Sequence, residues 1–143
     1  MSEDALSFAV SNTLSEVPRA AEQVGAFCRD RNIAAPIAYK FGLALDETLT
    51  NIISYAFPDG RRHTIEIRVE HSDGYLTAVV SDDGAPFDPL SQPAPDIQAP
   101  VEQRKIGGLG IHLLRKLMDR ADYQRRDGRN ILTFRIRTDD PNK

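Results

Sequence analysis

The feature that most constrains the fold is a change of hydrophobic period near residue 60. Before it, apolar residues recur every three to four positions. Ala20, Val24, Phe27 and Cys28 do so in one stretch, and Leu45, Leu49, Ile52 and Ala56 in the next. That spacing gathers them on one side of an α-helix. After it, Ile65, Ile67 and Val69 alternate with polar residues, the pattern of a strand with one buried face. A chain that switches period in this way has to pack helices against a sheet.

Punctuation residues divide these stretches. Leu6 to Val10 is short and apolar and fits an edge strand. Ser15 is placed to cap the first helix, Pro18 falls in its first turn, and the helix runs to about Arg31. A second helix starts near Pro36 and ends near Phe57, ahead of a Pro58-Asp59-Gly60 turn. Asp73-Gly74 and Asp127-Gly128 are hairpin signals. The first leads into a strand from Tyr75 to Ser81, and the second joins Ala121–Arg126 to Arg129–Arg137. Residues 86–100 hold five of the nine prolines, so they cannot be regular helix or central strand. They read as a long loop, a lid over about 86–106. Gly107-Gly108-Leu109-Gly110 then opens a helix from Ile111 to about Asp119. The order is strand, two helices, two strands, lid, helix, two strands. It predicts an α+β fold with a mixed, mostly antiparallel sheet covered on one face by helices.

With 143 residues the chain is expected to form one domain, 1–143. Its net charge of −3 argues against a dedicated nucleic-acid partner. Arg61-Arg62 and Arg125-Arg126 sit beside turns and read as solvated pairs. The one cysteine, Cys28, leaves no disulfide within the chain and reads as a small core residue. No apolar run approaches the ~18 residues of a membrane span. The N-terminus lacks the basic start and apolar core of a secretory signal. A cytoplasmic protein without a membrane partner is expected.

The second helix carries Glu47 and Asn51, four residues apart and so on one face, about 40° from each other. Asp46 is about 140° from Asn51 and cannot share that face. A carboxylate can accept a proton, and a carboxamide oxygen is a hard ligand suited to Mg²⁺. Asp82-Asp83-Gly84 ends a strand, where a fixed carboxylate can accept a hydrogen bond from an exocyclic amine and Gly84 lets a flat ring approach. The glycines at 107–110 precede a helix N-terminus, whose unpaired N–H groups suit a phosphate. The segment is neither a P-loop nor a dinucleotide fingerprint. Each feature alone also reads blandly, as the wet face of a helix or an ordinary turn. His63, His71 and His112 lack metal-ligand spacing and read as surface or partly packed residues.

Taken in order, these pieces resemble the GHKL ATPase superfamily of gyrase, mismatch-repair proteins and histidine kinases. Within it they are most similar to the anti-sigma factor serine kinases. Leu45-Asp-Glu-Thr-Leu-Thr-Asn-Ile-Ile-Ser-Tyr-Ala56 resembles the N box of that family. Asp82-Asp-Gly-Ala-Pro-Phe-Asp-Pro89 resembles its first glycine box, and Gly107-Gly-Leu-Gly-Ile-His-Leu-Leu-Arg-Lys-Leu-Met-Asp119 its second. The resemblance covers roughly residues 10–138. It implies a Bergerat-type two-layer sandwich that binds ATP and Mg²⁺ under a lid.

By the same resemblance Glu47 is the general base, Asn51 the Mg²⁺ ligand and Asp82 the adenine reader, with Gly84 and Pro86 beside it. Gly108, Leu109 and Gly110 cradle phosphates, and Arg104 and Lys105 pair with phosphate oxygens or stay solvated. Thr133 stands where the family has a threonine near adenine, although alternation puts it on the strand face opposite Leu132, Phe134 and Ile136. The implied activity is that of a Mg-ATP-dependent protein serine/threonine kinase. Its expected substrate is a STAS-domain anti-anti-sigma factor, and a sigma factor or similar regulator is the sequestered partner. Related kinases dimerise, so the resemblance raises a homodimer as a possibility that the sequence does not fix. The alternatives are a nucleotide-gated binding module without transfer, a histidine-kinase-type ATPase domain, or an ATPase with water as acceptor.

Overall fold

The computed structural model describes residues 5–91 and 114–139. Strands β1 (Ala5–Ser11), β2 (Thr64–Ser72), β3 (Tyr75–Asp82), β4 (Arg120–Arg126) and β5 (Arg129–Arg137) form one sheet in the order β1-β2-β3-β5-β4. Every neighbouring pair is antiparallel. The expectation of a mixed sheet is thus corrected: among the described residues there is no parallel pair. Both hairpins turn on the dipeptides read from the sequence. Asp73 and Gly74 have φ of 56° and 80°, and Asp127 and Gly128 have 53° and 77°. Two successive positive φ angles make the tight turn whose twist matches that of the flanking strands.

Helices α1 (Val17–Asp30) and α2 (Ala35–Tyr55) lie on one face of the sheet. Each begins with a proline in its first turn, where no amide partner is lost. Ser15 does not cap α1. It sits inside a 3-10 turn, Leu14–Glu16, and among the described residues no side chain caps the helix that follows. Glu16 turns instead to Arg19, at 3.0 Å, and to the Ser11 amide, at 3.2 Å. The predicted stripe of α2 is fully in the core: Leu45, Leu49, Ile52 and Ala56 are all buried. They meet Leu76, Ala78 and Val80 of β3 and Leu132, Phe134 and Ile136 of β5 in one apolar cluster. Phe41 and Phe134 form a tilted ring pair, 5.3 Å between centroids. Cys28 is buried there too, as expected of a small core residue, and burial raises its thiol pKa.

The other face of the sheet carries arginines paired with acids. Arg129 reaches Glu66 at 2.8 Å, Arg120 reaches Asp122 at 2.8 Å, and Arg68 reaches Glu70 at 3.1 Å. A helical turn over residues 114–117 precedes β4 and buries Leu114. Most of the predicted lid, the glycine segment 107–110, His112 and the predicted start of the last helix lie outside the described residues. Among the described residues no helix is long and apolar enough to cross a membrane.

Candidate functional site

The site is assembled where the C-terminal half of α2 meets the end of β3. Asn51 is 1% exposed. Its Nδ2 donates to the Glu47 carbonyl at 2.7 Å, one turn back along the helix. The carboxamide nitrogen is thereby spent on the backbone, and the oxygen is the end a hard cation would take. Glu47 is half-buried on the same side of α2. Asp46 is also half-buried. Burial, and then the neighbouring Glu47 carboxylate, raise its pKa.

From the last turn of α2 the chain reaches the loop after β3 directly. The Ala85 amide donates to the Ala56 carbonyl at 2.8 Å. A Cβ placed on Gly84 would stand 2.4 Å from that carbonyl oxygen and 2.9 Å from Asp82 Oδ1. Gly84 is therefore required for the loop to lie against the end of α2. Asn51 is five residues before Ala56, about 7.5 Å along the helix axis, so the two halves share one end of the sandwich.

Asp82 is the last residue of β3 and 1% exposed. Its Oδ1 accepts from the Gly84 amide at 2.8 Å and from Asn130 Nδ2 at 2.9 Å. Its Oδ2 is buried with no hydrogen-bond partner among the described residues. Burial raises the carboxyl pKa, and the bonds from Asn130 and Gly84 oppose that rise. A buried acceptor left without a donor costs about 1–3 kcal/mol. Such a group is a reservoir that a ligand's N–H can draw on.

Asn130, opposite Asp82 on β5, is the hub of the loop. Its Nδ2 also donates to the Ala85 carbonyl at 2.8 Å. Its Oδ1 accepts from the Phe87 amide at 3.1 Å, the Tyr123 hydroxyl at 2.6 Å and Arg125 at 3.2 Å. Arg125 also donates to the Gly84 carbonyl at 2.8 Å. Arg125 stays exposed, as a solvated residue beside a turn should, while its guanidinium reaches across to the loop's backbone. Asn130 was not singled out in the sequence, yet a signal was there. It is in phase with Leu132, Phe134 and Ile136, so alternation alone puts a polar residue on the buried face.

Of the sequence candidates, Glu47, Asn51, Asp82 and Gly84 come together at this end, with Pro86 exposed on the loop's rim. Thr133 does not join them. It faces the outer side of the sheet, beside Thr77, Arg120 and Asp122. The strand's two-residue period settles this, since Thr133 is three positions from Asn130. Arg104, Lys105, Gly108, Leu109 and Gly110 lie outside the described residues.

Helices over one face of an antiparallel sheet, with a buried carboxylate at the strand end beside the second helix, make the two-layer sandwich of the GHKL ATPases. The family model of the histidine kinase-like ATPase domain matches residues 10–136, and the chain belongs to that family. It is 34% identical over 106 residues to the serine/threonine-protein kinase BtrW of Bordetella bronchiseptica, covering 74% of each chain. It is 30% identical over 91 residues to the serine-protein kinase RsbW of Bacillus subtilis, covering 60% of this chain and 56% of that one. The chain thus spans little more than half of the Bacillus protein. A crystal structure of RsbU and RsbW domains from Mycobacterium tuberculosis has the same fold. The TM-score is 0.63 at 15% identity, over 93% of this chain and 31% of that one.

Proposed function

We propose that the chain binds Mg-ATP at the α2–β3 end and transfers a phosphoryl group to a protein serine or threonine hydroxyl. The observation that carries the reading is Asp82 Oδ2, a buried acceptor with no donor among the described residues, on a carboxylate whose other oxygen is already held by two bonds. That arrangement fits an exocyclic amine such as adenine N6. It disfavours guanine, which presents a carbonyl oxygen at the equivalent ring position. Support for transfer comes from the kinase names of the relatives and from Glu47, a base-capable side chain one turn from Asn51.

Bound Mg-ATP would supply the phosphoryl group and a cation to neutralise its charge. Asn51 would hold that cation through its carboxamide oxygen. Glu47 would take the proton of the attacking hydroxyl. Gly108, Leu109 and Gly110, with Arg104 and Lys105, are proposed to hold the phosphates. The proposed protein partners are a STAS-type anti-anti-sigma factor as substrate and a sigma factor as the bound regulator, with a homodimer as the proposed assembly and the cytoplasm as its place.

The test is transfer from labelled ATP to a STAS partner. Wild type should label it, and Glu47→Ala should lose about 100-fold or more of the rate while still binding nucleotide. Nucleotide binding without transfer to any STAS partner would leave a nucleotide-gated binding module instead. A thermal shift should separate the bases. A ligand at ~100 times its Kd adds about 2.7 kcal/mol, expected for Mg-ATP and Mg-ADP. Equal shifts with Mg-GTP would remove the role given to Asp82.

A further inference from the structure

His63 lies between α2 and β2, outside the constellation above, yet it grips the same loop. Its Nδ1 is 2.9 Å from Asp83 Oδ1, and its Nε2 is 2.8 Å from Asp59 Oδ2. Its ring stacks on Phe57, 4.7 Å between centroids and 23° from parallel. Carboxylates only accept hydrogen bonds, so two carboxylates on the two ring nitrogens require a hydrogen on both. That form is the imidazolium.

One side of this clasp is fixed by bonds that do not titrate. The His63 amide donates to Asn12 Oδ1 at 2.9 Å, and Asn12 donates through its amide to the His63 carbonyl and through Nδ2 to the Arg61 carbonyl. Asp59 is held as well by the Arg61 amide at 3.0 Å. Asp83 has no other hydrogen-bonded partner among the described residues, and it stands between Asp82 and Gly84. Loss of the ring's charge would therefore release the loop and not the turn.

We propose that protonated His63 is a positioning residue of the nucleotide site, holding Asp83 and through it the backbone that carries Asp82 and Gly84. The inference rests on the reading of Asp82 as the adenine acceptor. The charged groups facing the ring are Asp59 and Asp83, and Arg62, Glu66 and Arg129 border the same hollow. The two aspartates dominate, Asp59 first, and raise the imidazole above its ordinary 6.5. A raised histidine contributes fully below its ordinary value and loses its contribution as pH rises through the raised one. The clasp is thus closed below the imidazole's ordinary value and opens as pH rises through the raised one.

The test measures Mg-ADP affinity of the whole chain by calorimetry from pH 6 to 9, for wild type, His63→Asn and Asp83→Asn. The nucleotide's own titration cancels in the ratio of variant to wild-type Kd. That ratio is expected to be about 3 at pH 6, the scale of an exposed ion pair, and to fall to about 1 at pH 9. A ratio that does not change with pH overturns the inference and leaves the Asp82 reading standing. Absence of wild-type binding at every pH removes both. Independently, the His63 ring-proton NMR signal should titrate above 6.5 in wild type and move down in Asp83→Asn. Titration at or below 6.5, or no movement in the variant, also overturns it.

Discussion

The two faces of the sheet obey different physics, and β5 shows both within six residues. Asn130 and Phe134 face the helices, where burial makes every contact count. Thr133 and Arg129 face outward, where arginine–carboxylate pairs are screened by water and each contributes little. On the covered face a polar group has to be satisfied or left as a cost, and the fold does both. Asn130 is used at both ends, and Asp82 is left with one oxygen without a partner among the described residues. On the open face the same residue types carry no such consequence. Position relative to the helices, more than residue type, marks a side chain as part of the candidate site.

The sharpest way to break this comparison is to truncate neighbours on opposite faces. Phe134→Ala, which removes the ring against Phe41, should cost about 3–5 kcal/mol in urea unfolding. Thr133→Ala, one residue away, should stay within about 0.5 kcal/mol and leave adenine nucleotide binding unchanged. Equal losses would mean that the outer face is covered by something in solution.

Two changes at the loop should fall between these limits. Gly84→Val pushes a side chain into the Ala56 carbonyl and should cost about 1–3 kcal/mol, with weakened nucleotide binding. Asn130→Ala strips partners from Asp82, Ala85, Phe87 and Tyr123 together and should cost about 1–3 kcal/mol.

Asp82→Asn should separate stability from binding. Burial raises the Asp82 pKa above its ordinary 3.8, so ionising it opposes folding. As pH rises from 3.8 through the raised value, wild type should lose stability relative to the variant. At neutral pH the variant should be at least as stable as wild type, yet show no thermal shift with Mg-ATP. A variant that is less stable at every pH would mean that the carboxylate is a structural asset.

The sequence was most legible where one local rule acted alone. The hairpin dipeptides, the α2 stripe and the alternation of β2 and β5 placed the elements to within a residue or two, because turn chemistry and period are local properties. Ser15 misleads because the chain turns there through a 3-10 segment and Glu16 and Arg19 make the local contact. Thr133 against Asn130 was a matter of phase, and the alternation of Leu132, Phe134 and Ile136 already contained the answer. Arg125 and His63 were beyond reach. Arg125 finds the Gly84 carbonyl 41 residues away, and His63 finds Asp83 20 residues away. No spacing rule spans a fold's closure.

Asp82 and Asn130 are register partners 48 residues apart, and this pairing has a consequence for how such a chain can diverge. The entropy of closing a loop grows only with the logarithm of its length, about 0.6 kcal/mol per doubling. The sheet therefore fixes β3 and the β4–β5 hairpin but is nearly indifferent to how many residues lie between Asp82 and Arg120. Insertions and deletions there can change what the segment meets while the β3–β5 seam, and the carboxylate it presents, stay as they are. Such a seam lets one scaffold acquire new partners by changing loop length.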